Sequence, residues 1–264
     1  INHRKSNMNP QQRWIAFKTI VNQEVYRTIR LWSQTLLPPA ITTILYFVIF
    51  GRVIGSRVGQ MGGYEYIQYI APGLIMMNII TSSYASAVGS FYSAKFQRSI
   101  EEILVSPMSN AAILLGYMSG GILRGILVGI VVTVIALFFA HLQIYSYWNV
   151  ILVTIFSAAI FSLAGIINAI FAKSFDEISI IPTFVLTPLT YLGGVFYSIT
   201  LLPHAWQYIS LANPIVYIVD NFRYGFLGIS ASHVVIAYVI MACFLAALFT
   251  VAFYMVKKGV GLRE

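Results

Sequence analysis

The sequence predicts an all-α membrane protein that crosses the bilayer six times, and three observations carry this expectation. Hydrophobic residues make up 59% of the 264-residue chain and charged residues only 9%, where a soluble domain carries roughly a quarter. The mean hydropathy is +0.81. Asp, Glu, Lys and Arg are absent from the runs 31–51, 66–94, 103–123, 125–172, 178–219 and 224–256, each long enough to hold an apolar helix of about 20 residues.

The 48-residue run 125–172 exceeds one crossing. His141-Leu142-Gln143-Ile144-Tyr145-Ser146-Tyr147-Trp148 divides it, with Tyr and Trp of the kind found at a membrane–water boundary. Spans are therefore expected near 36–55, 66–92, 111–139, 148–171, 178–199 and 232–256. Residues 1–35 form an N-terminal stretch, 36–256 the transmembrane domain and 257–264 a tail.

Orientation follows from Lys and Arg. With the N-terminus cytoplasmic, 12 of the 16 basic residues share its side, among them Arg4, Lys5, Lys95, Arg98, Lys173, Lys257, Lys258 and Arg263. Three lie opposite (Arg52, Arg57 and Arg223), and Arg124 lies in or near the third span. Both termini are thus expected inside. A seventh span within the uncharged 178–219 would carry Lys257, Lys258 and Arg263 outward, against that bias. Pro203, His204, Trp206, Asn213 and Pro214 interrupt the second part of this run. A re-entrant segment buried against protein suits it better than a crossing.

Several function classes fall away. The net charge of +8 is distributed as membrane flanks rather than as a nucleic-acid patch. The single cysteine, Cys243, allows no disulfide framework within one chain. Met8-Asn9-Pro10 reads as a native start, so residues 1–7 are set aside. No cleavable signal is expected, because the first 35 residues are basic and amphipathic. No G-x-x-x-x-G-K-[ST] loop is available to cradle a nucleotide, and no His, Cys or carboxylate cluster has metal-ligand spacing. The spans contain no Asp or Glu, the usual mark of proton or sodium coupling. Energy for any transport is expected from elsewhere, and neither a catalytic residue nor a metal site is expected.

Four segments stand out. In 13–33, Trp14, Phe17, Val21, Val25 and Trp32 fall within one helical arc of about 80°. Thr19, Gln23, Arg27 and Arg30 lie opposite, and Lys18 and Glu24 flank the arc. This pattern describes an amphipathic helix at the cytoplasmic membrane surface, either a topology anchor or a docking element. In 95–107, Arg98, Glu101 and Glu102 are mixed with Phe96, Ile100, Ile103 and Leu104, and Pro107 ends the run. A short helix that docks a partner, or one lying on lipid heads, has need of such a mixture. Arg124 is an intramembrane charge. It either snorkels, pairs with Glu101, Glu102 or Asp176, or acts in transport. In 182–197, Pro182, Pro188 and Gly193-Gly194 loosen the span. Thr187, Tyr191, Phe196 and Tyr197 offer a polar-tipped aromatic lining, for a translocation path or for packing alone.

On Phe96-Gln97-Arg98-Ser99-Ile100-Glu101-Glu102-Ile103-Leu104-Val105-Ser106-Pro107, on 176–197, and on Asn213-Pro214-Ile215-Val216-Tyr217 with Phe222-Arg223-Tyr224-Gly225, the chain resembles the type-2 permeases of ATP-binding-cassette exporters. That family includes O-antigen, nodulation-factor and drug-export permeases, and the similarity runs from Met8 onward. The resemblance implies a dimer of six-span subunits, homodimeric or pseudo-dimeric, each bound to a separate ABC ATPase subunit that holds ATP and Mg. It makes 13–33 the interface helix, 95–105 the coupling helix and 200–219 the re-entrant outer segment. The expected substrate class is amphipathic: lipid, glycan or drug. The competing expectation is an integral-membrane enzyme acting on lipid or glycan. Its acid–base cluster would have to be Asp220, Arg223 and His204, which otherwise read as interfacial anchors.

Overall fold

The computed structural model describes residues 9–106, 108–230 and 233–261. Pro107, expected to end the short loop helix, lies outside the described residues, as do 1–8 and Arg263. Helix α1 (Pro10–Arg30) starts from an Asn9–Gln12 capping box, which satisfies its first free N–H groups. Helix α2 (Trp32–Tyr46) continues through a π-helical stretch, Phe47–Ile54, into α3 (Gly55–Val58). A hairpin of β1 (Gln60–Met61) and β2 (Tyr64–Glu65) follows. It turns on Gly62 and Gly63, whose φ angles of 62° and 84° suit such a turn.

Then come α4 (Tyr66–Phe96), α5 (Ser99–Val105), α6 (Asn110–Phe139) and α7 (Tyr147–Phe171). Next are α8 (Glu177–Ile181) and α9 (Thr187–Leu192), joined by a π-helical Pro182–Leu186. Helices α10 (His204–Leu211), α11 (Pro214–Leu227) and α12 (Val234–Lys258) complete the chain.

Five helices among the described residues are long and apolar enough to cross a membrane: Trp32–Val58, Tyr66–Phe96, Asn110–Phe139, Tyr147–Phe171 and Val234–Lys258. They agree with five of the six expected spans to within a few residues at most ends. The run expected to cross at 178–199 is helical only over Glu177–Leu192. Its segments of 5, 5 and 6 residues reach about 24 Å, short of a hydrocarbon core of about 30 Å. Gly193 and Gly194 end it, Gly194 at φ +73°. The Pro182 carbonyl, inside the widened turn, accepts a hydrogen bond of 2.8 Å from Thr187 Oγ1.

Helix α4 is the centre of the bundle, packed on α6, α7 and α11 and buried along most of its length. Small residues let the helices approach. A Cβ on Gly165 would lie 2.7 Å from the Tyr84 carbonyl, so α7 rests on α4 backbone to backbone. At the end of α7, Lys95 Nζ donates to the Ile170 and Ala172 carbonyls, both at 2.8 Å. This places a cation on the negative end of that helix.

Candidate functional site

The loop helix forms as its residue mixture predicts. Arg98 turns the chain out of α4 in the left-handed region, at φ 58°, and α5 begins at Ser99. Ile100 is 1% exposed and Val105 85%, while Glu101 and Glu102 face outward and Leu104 is half-buried. Ile100, with the half-buried Ile103 and Leu104, thus seats α5 on the bundle and the acidic side faces outward. The exposed Phe96 ring meets Phe175 edge-on at 5.2 Å, and Phe175 meets Tyr92 at 4.8 Å. An aromatic cluster therefore ties the start of this loop to the end of α7.

Helix α1 packs on the bundle through a line beside its apolar arc. Its buried line is Ile20, Glu24 and Thr28, about 70° around from the Trp14–Phe17–Val21–Val25 arc at 100° per residue. Trp14 is exposed and Phe17 half-buried, with rings 5.8 Å apart. The cause lies on α6. Gly116 receives Ile20, and Gly120 leaves room for Glu24, whose Oε2 a Cβ there would overlap. Because 20 meets 116 and 24 meets 120, the two helices run the same way along this contact. Arg27, expected toward lipid heads, turns inward instead. Its Nη2 lies 2.8 Å from Glu24 Oε2 and 3.2 Å from the Ser86 carbonyl. The Ser90 hydroxyl also donates to Glu24. Burial pushes the Glu24 carboxyl above its ordinary range, opposed by the charge of Arg27 and by the bonds from Ser90 and Arg27. Arg30 remains exposed.

Arg124 sits one turn beyond Gly120, and its charged neighbour is Arg27. Its pairing with Glu101, Glu102 or Asp176 is not found: no ion pair among the described residues joins it to them. The groove beside it is filled by α1, which sequence spacing alone does not reveal.

The segment 182–197 divides in two. Thr187 and Tyr191 are exposed, and a crevice of about 260 Å³ opens beside Thr187, between α4 and α8–α9, with Thr81 and Ser179 in its wall. Gly193 and Gly194 are buried, Phe196 and Tyr197 half-buried. Phe196 stacks on Phe50 at 5.0 Å and lies 5.7 Å from Tyr46 and 5.8 Å from Tyr191. The turn is pinned from three sides. Tyr66 Oη donates to the Phe196 carbonyl at 3.1 Å. A Cβ on Gly73 would lie 2.6 Å from the Val195 carbonyl. Arg223 Nη2 donates to the Gly194 carbonyl at 2.6 Å and Nε to the Tyr69 carbonyl at 3.2 Å, with the guanidinium 4.1 Å over the Tyr69 ring.

The family model for the ABC-2 type transporter matches residues 15–227. The chain belongs to this family. It is 53% identical over 251 residues to the inner membrane transport permease YadH of Escherichia coli strain K12, covering 95% of this chain and 98% of that protein. It is 24% identical over 220 residues to nodulation protein J of Rhizobium leguminosarum bv. viciae, covering 81% and 83%. To nodulation protein J of Rhizobium meliloti it is 26% identical over 193 residues, covering 72% and 73%. The chain is thus a multi-pass membrane protein and a permease subunit of a transporter.

In this ABC-2 permease three features escape a reading of the sequence. Arg223 and Asp220, expected as interfacial anchors, are both buried, whereas His204 begins α10 in the open. Asp220 accepts from Ser230 at 2.8 Å. Their spacing of three residues in an otherwise apolar helix was the available signal. Glu24 is buried although it flanks an apolar arc. The hairpin was announced by Gly62-Gly63.

Proposed function

We propose that this permease exports an amphipathic substrate (lipid, glycan or drug) across the bacterial inner membrane. A separate ABC ATPase subunit binds ATP and Mg and supplies the work. The observation that carries the reading is the two-sidedness of α5 at the end of the most buried helix. Ile100 is seated in the bundle while Glu101, Glu102 and Val105 project away from it. A motor that grips the outer side of α5 moves α4 with it.

In this reading Phe96, Arg98, Ile100, Glu101, Glu102, Leu104 and Pro107 couple the ATPase to the bundle, and Trp14, Phe17, Arg27 and Arg30 belong to the interface helix. Helix Glu177–Leu192 belongs to the fifth of six spans, residues 200–219 re-enter from the outer side, and both termini are cytoplasmic. Two copies pair as a homodimer. The face of Thr187, Tyr191, Gly193, Gly194, Phe196 and Tyr197 lines the path between α4 and α9. Exposed aromatic and hydroxyl groups there match a cargo with one apolar and one polar end.

A ligand or motor shifts a two-state protein only through differential contacts. The combined change Glu101→Lys and Glu102→Lys is therefore expected to leave membrane insertion intact and to abolish stimulation of a co-purified ATPase by the permease in proteoliposomes. Wild-type coupling in that variant would remove α5 from the mechanism.

A further inference from the structure

Between α6 and α7, near the loop that joins them and at the end of the bundle away from α5, lies an apolar cavity of about 370 Å³. Ile75 and Ile79 of α4 and Phe222 and Phe226 of α11, all buried, form its floor. Ile130 of α6 and Ile151 of α7 also line it and are exposed, so it opens outward between the two helices. Both helices are long and apolar enough to span a bilayer, and outward is therefore toward lipid tails.

A second cavity of about 560 Å³ lies at the α6–α7 loop and is lined by Gln68, His141, Gln143 and Tyr145. Ile144 and Phe226 stand in both walls, so the polar and apolar cavities adjoin. Gln68 Nε2 donates one long hydrogen bond of 3.4 Å, to the His141 carbonyl, and a closer acceptor would serve that amide better. Tyr147 and Trp148 beside the cavities are exposed, as such side chains are at a membrane–water boundary.

The apolar cavity has the depth of one leaflet. It reaches Ile126, about 20 Å from the end of α6 at Phe139, and Ile155, about 12 Å from the start of α7 at Tyr147. Half of a hydrocarbon core is about 15 Å. Among the described residues of both walls there is no Asp, Glu, Lys or Arg. A headgroup of net charge finds no counter-charge there. One whose phosphate and ammonium cancel finds amide and phenol groups that donate to the first and accept from the second.

We propose that α6 and α7 hold a zwitterionic phospholipid of the phosphatidylethanolamine class from the leaflet away from α5. One acyl chain fills the apolar cavity, and the headgroup sits in the polar one. At 100° per residue Ile75 and Ile79 lie on the opposite side of α4 from Thr81, Tyr84 and Val88, which line the crevice beside Thr187. The lipid site is thus separate from the proposed path, and its binding does not depend on what the permease transports.

The test uses the full-length protein, purified and delipidated in detergent. Native mass spectrometry follows its retention of phosphatidylethanolamine or phosphatidylglycerol with matched acyl chains. The wild type is expected to prefer phosphatidylethanolamine, and equal retention of the two overturns the proposal. Thr133→Phe, which fills the apolar cavity, should weaken retention about tenfold. Leu152→Phe, exposed on α7 outside the cavity, should match the wild type. Undiminished binding by Thr133→Phe, or an equal loss in Leu152→Phe, overturns the proposal. Loss of dimer in Thr133→Phe with lipid retention unchanged assigns the face to a second copy and overturns it too. The pair Gln68→Leu and Gln143→Leu should lower phosphatidylethanolamine retention about threefold; no change overturns the headgroup placement. Should Thr133→Phe fail to fold, phosphatidylethanolamine carrying a diazirine in its acyl chain is photolysed with the wild type. Crosslinks are expected within 126–134 or 147–155, and crosslinks confined to other segments overturn the proposal.

Discussion

Arg223→Met removes the pin from the turn at residues 193–197. The side chain makes two charge-assisted hydrogen bonds, to the Gly194 and Tyr69 carbonyls, each worth about 1.5–3 kcal/mol. Its stacking on Tyr69 at 4.1 Å adds about 0.5–2 kcal/mol. These do not simply add, because the variant also escapes the cost of burying a guanidinium. Breaking a buried charged arrangement by deleting one member costs about 3–5 kcal/mol, and that is the expected loss here. Asp220, three residues away and buried, loses the positive charge beside it. Adding Asp220→Asn is therefore expected to recover part of the loss. Arg223→Lys keeps the charge but not the fork and should fall between. Unfolding in mixed micelles by titration with dodecyl sulfate, followed by tryptophan fluorescence, measures the differences. Hydrogen exchange at 193–197 should accelerate in Arg223→Met. A variant within about 1 kcal/mol of the wild type, with unchanged exchange in the turn, would refute the pinning role.

Gly120→Ala places a methyl group against Glu24, with the Glu24 Cβ 3.0 Å away. It should cost about 1–3 kcal/mol by overpacking and release α1 to limited proteolysis; a wild-type cleavage rate would contradict the close α1–α6 contact. Glu24 takes up a proton more readily in the folded protein than at its ordinary value of 4.5. Its contribution to stability is therefore fully present below 4.5, and is lost as the pH rises through the higher folded value. Melting curves between about pH 5 and pH 8 should flatten in Glu24→Gln; an unchanged pH slope in that variant would argue against titration of Glu24.

What was legible in the sequence is what lipid dictates. A crossing helix excludes most charge over about 20 residues, so five spans can be placed from the gaps between Asp, Glu, Lys and Arg together with the aromatic boundary at 141–148. The 95–105 helix is legible for a related reason, since apolar and acidic residues at helical spacing require two unlike environments. Other features depend on partners distant in sequence. The buried line of α1 is decided by Gly116 and Gly120, nearly a hundred residues away, and the α1 segment by itself does not contain them. Arg223 reads as a surface marker because a charge in sequence implies solvation by water, whereas two backbone carbonyls and a ring solvate it inside. The fifth run was overestimated because freedom from charge says nothing of helix continuity. Gly193 and Gly194 end the helix where the apolar character continues.

The joint at Arg98 gives α4 a particular mechanical character. A non-glycine residue in the left-handed region costs about 1–2 kcal/mol and offers almost no slack. Lys95, latched to the end of α7, and Ile100, sunk into the bundle, hold it from either side. Beyond the joint, α4 runs unbroken for 31 residues, about 46 Å. Its far end grips the aromatic turn through Tyr66 and the Phe196 carbonyl. In the proposed mechanism, a tilt imposed on seven residues at one end is carried along α4 to the Tyr and Phe side chains at the other.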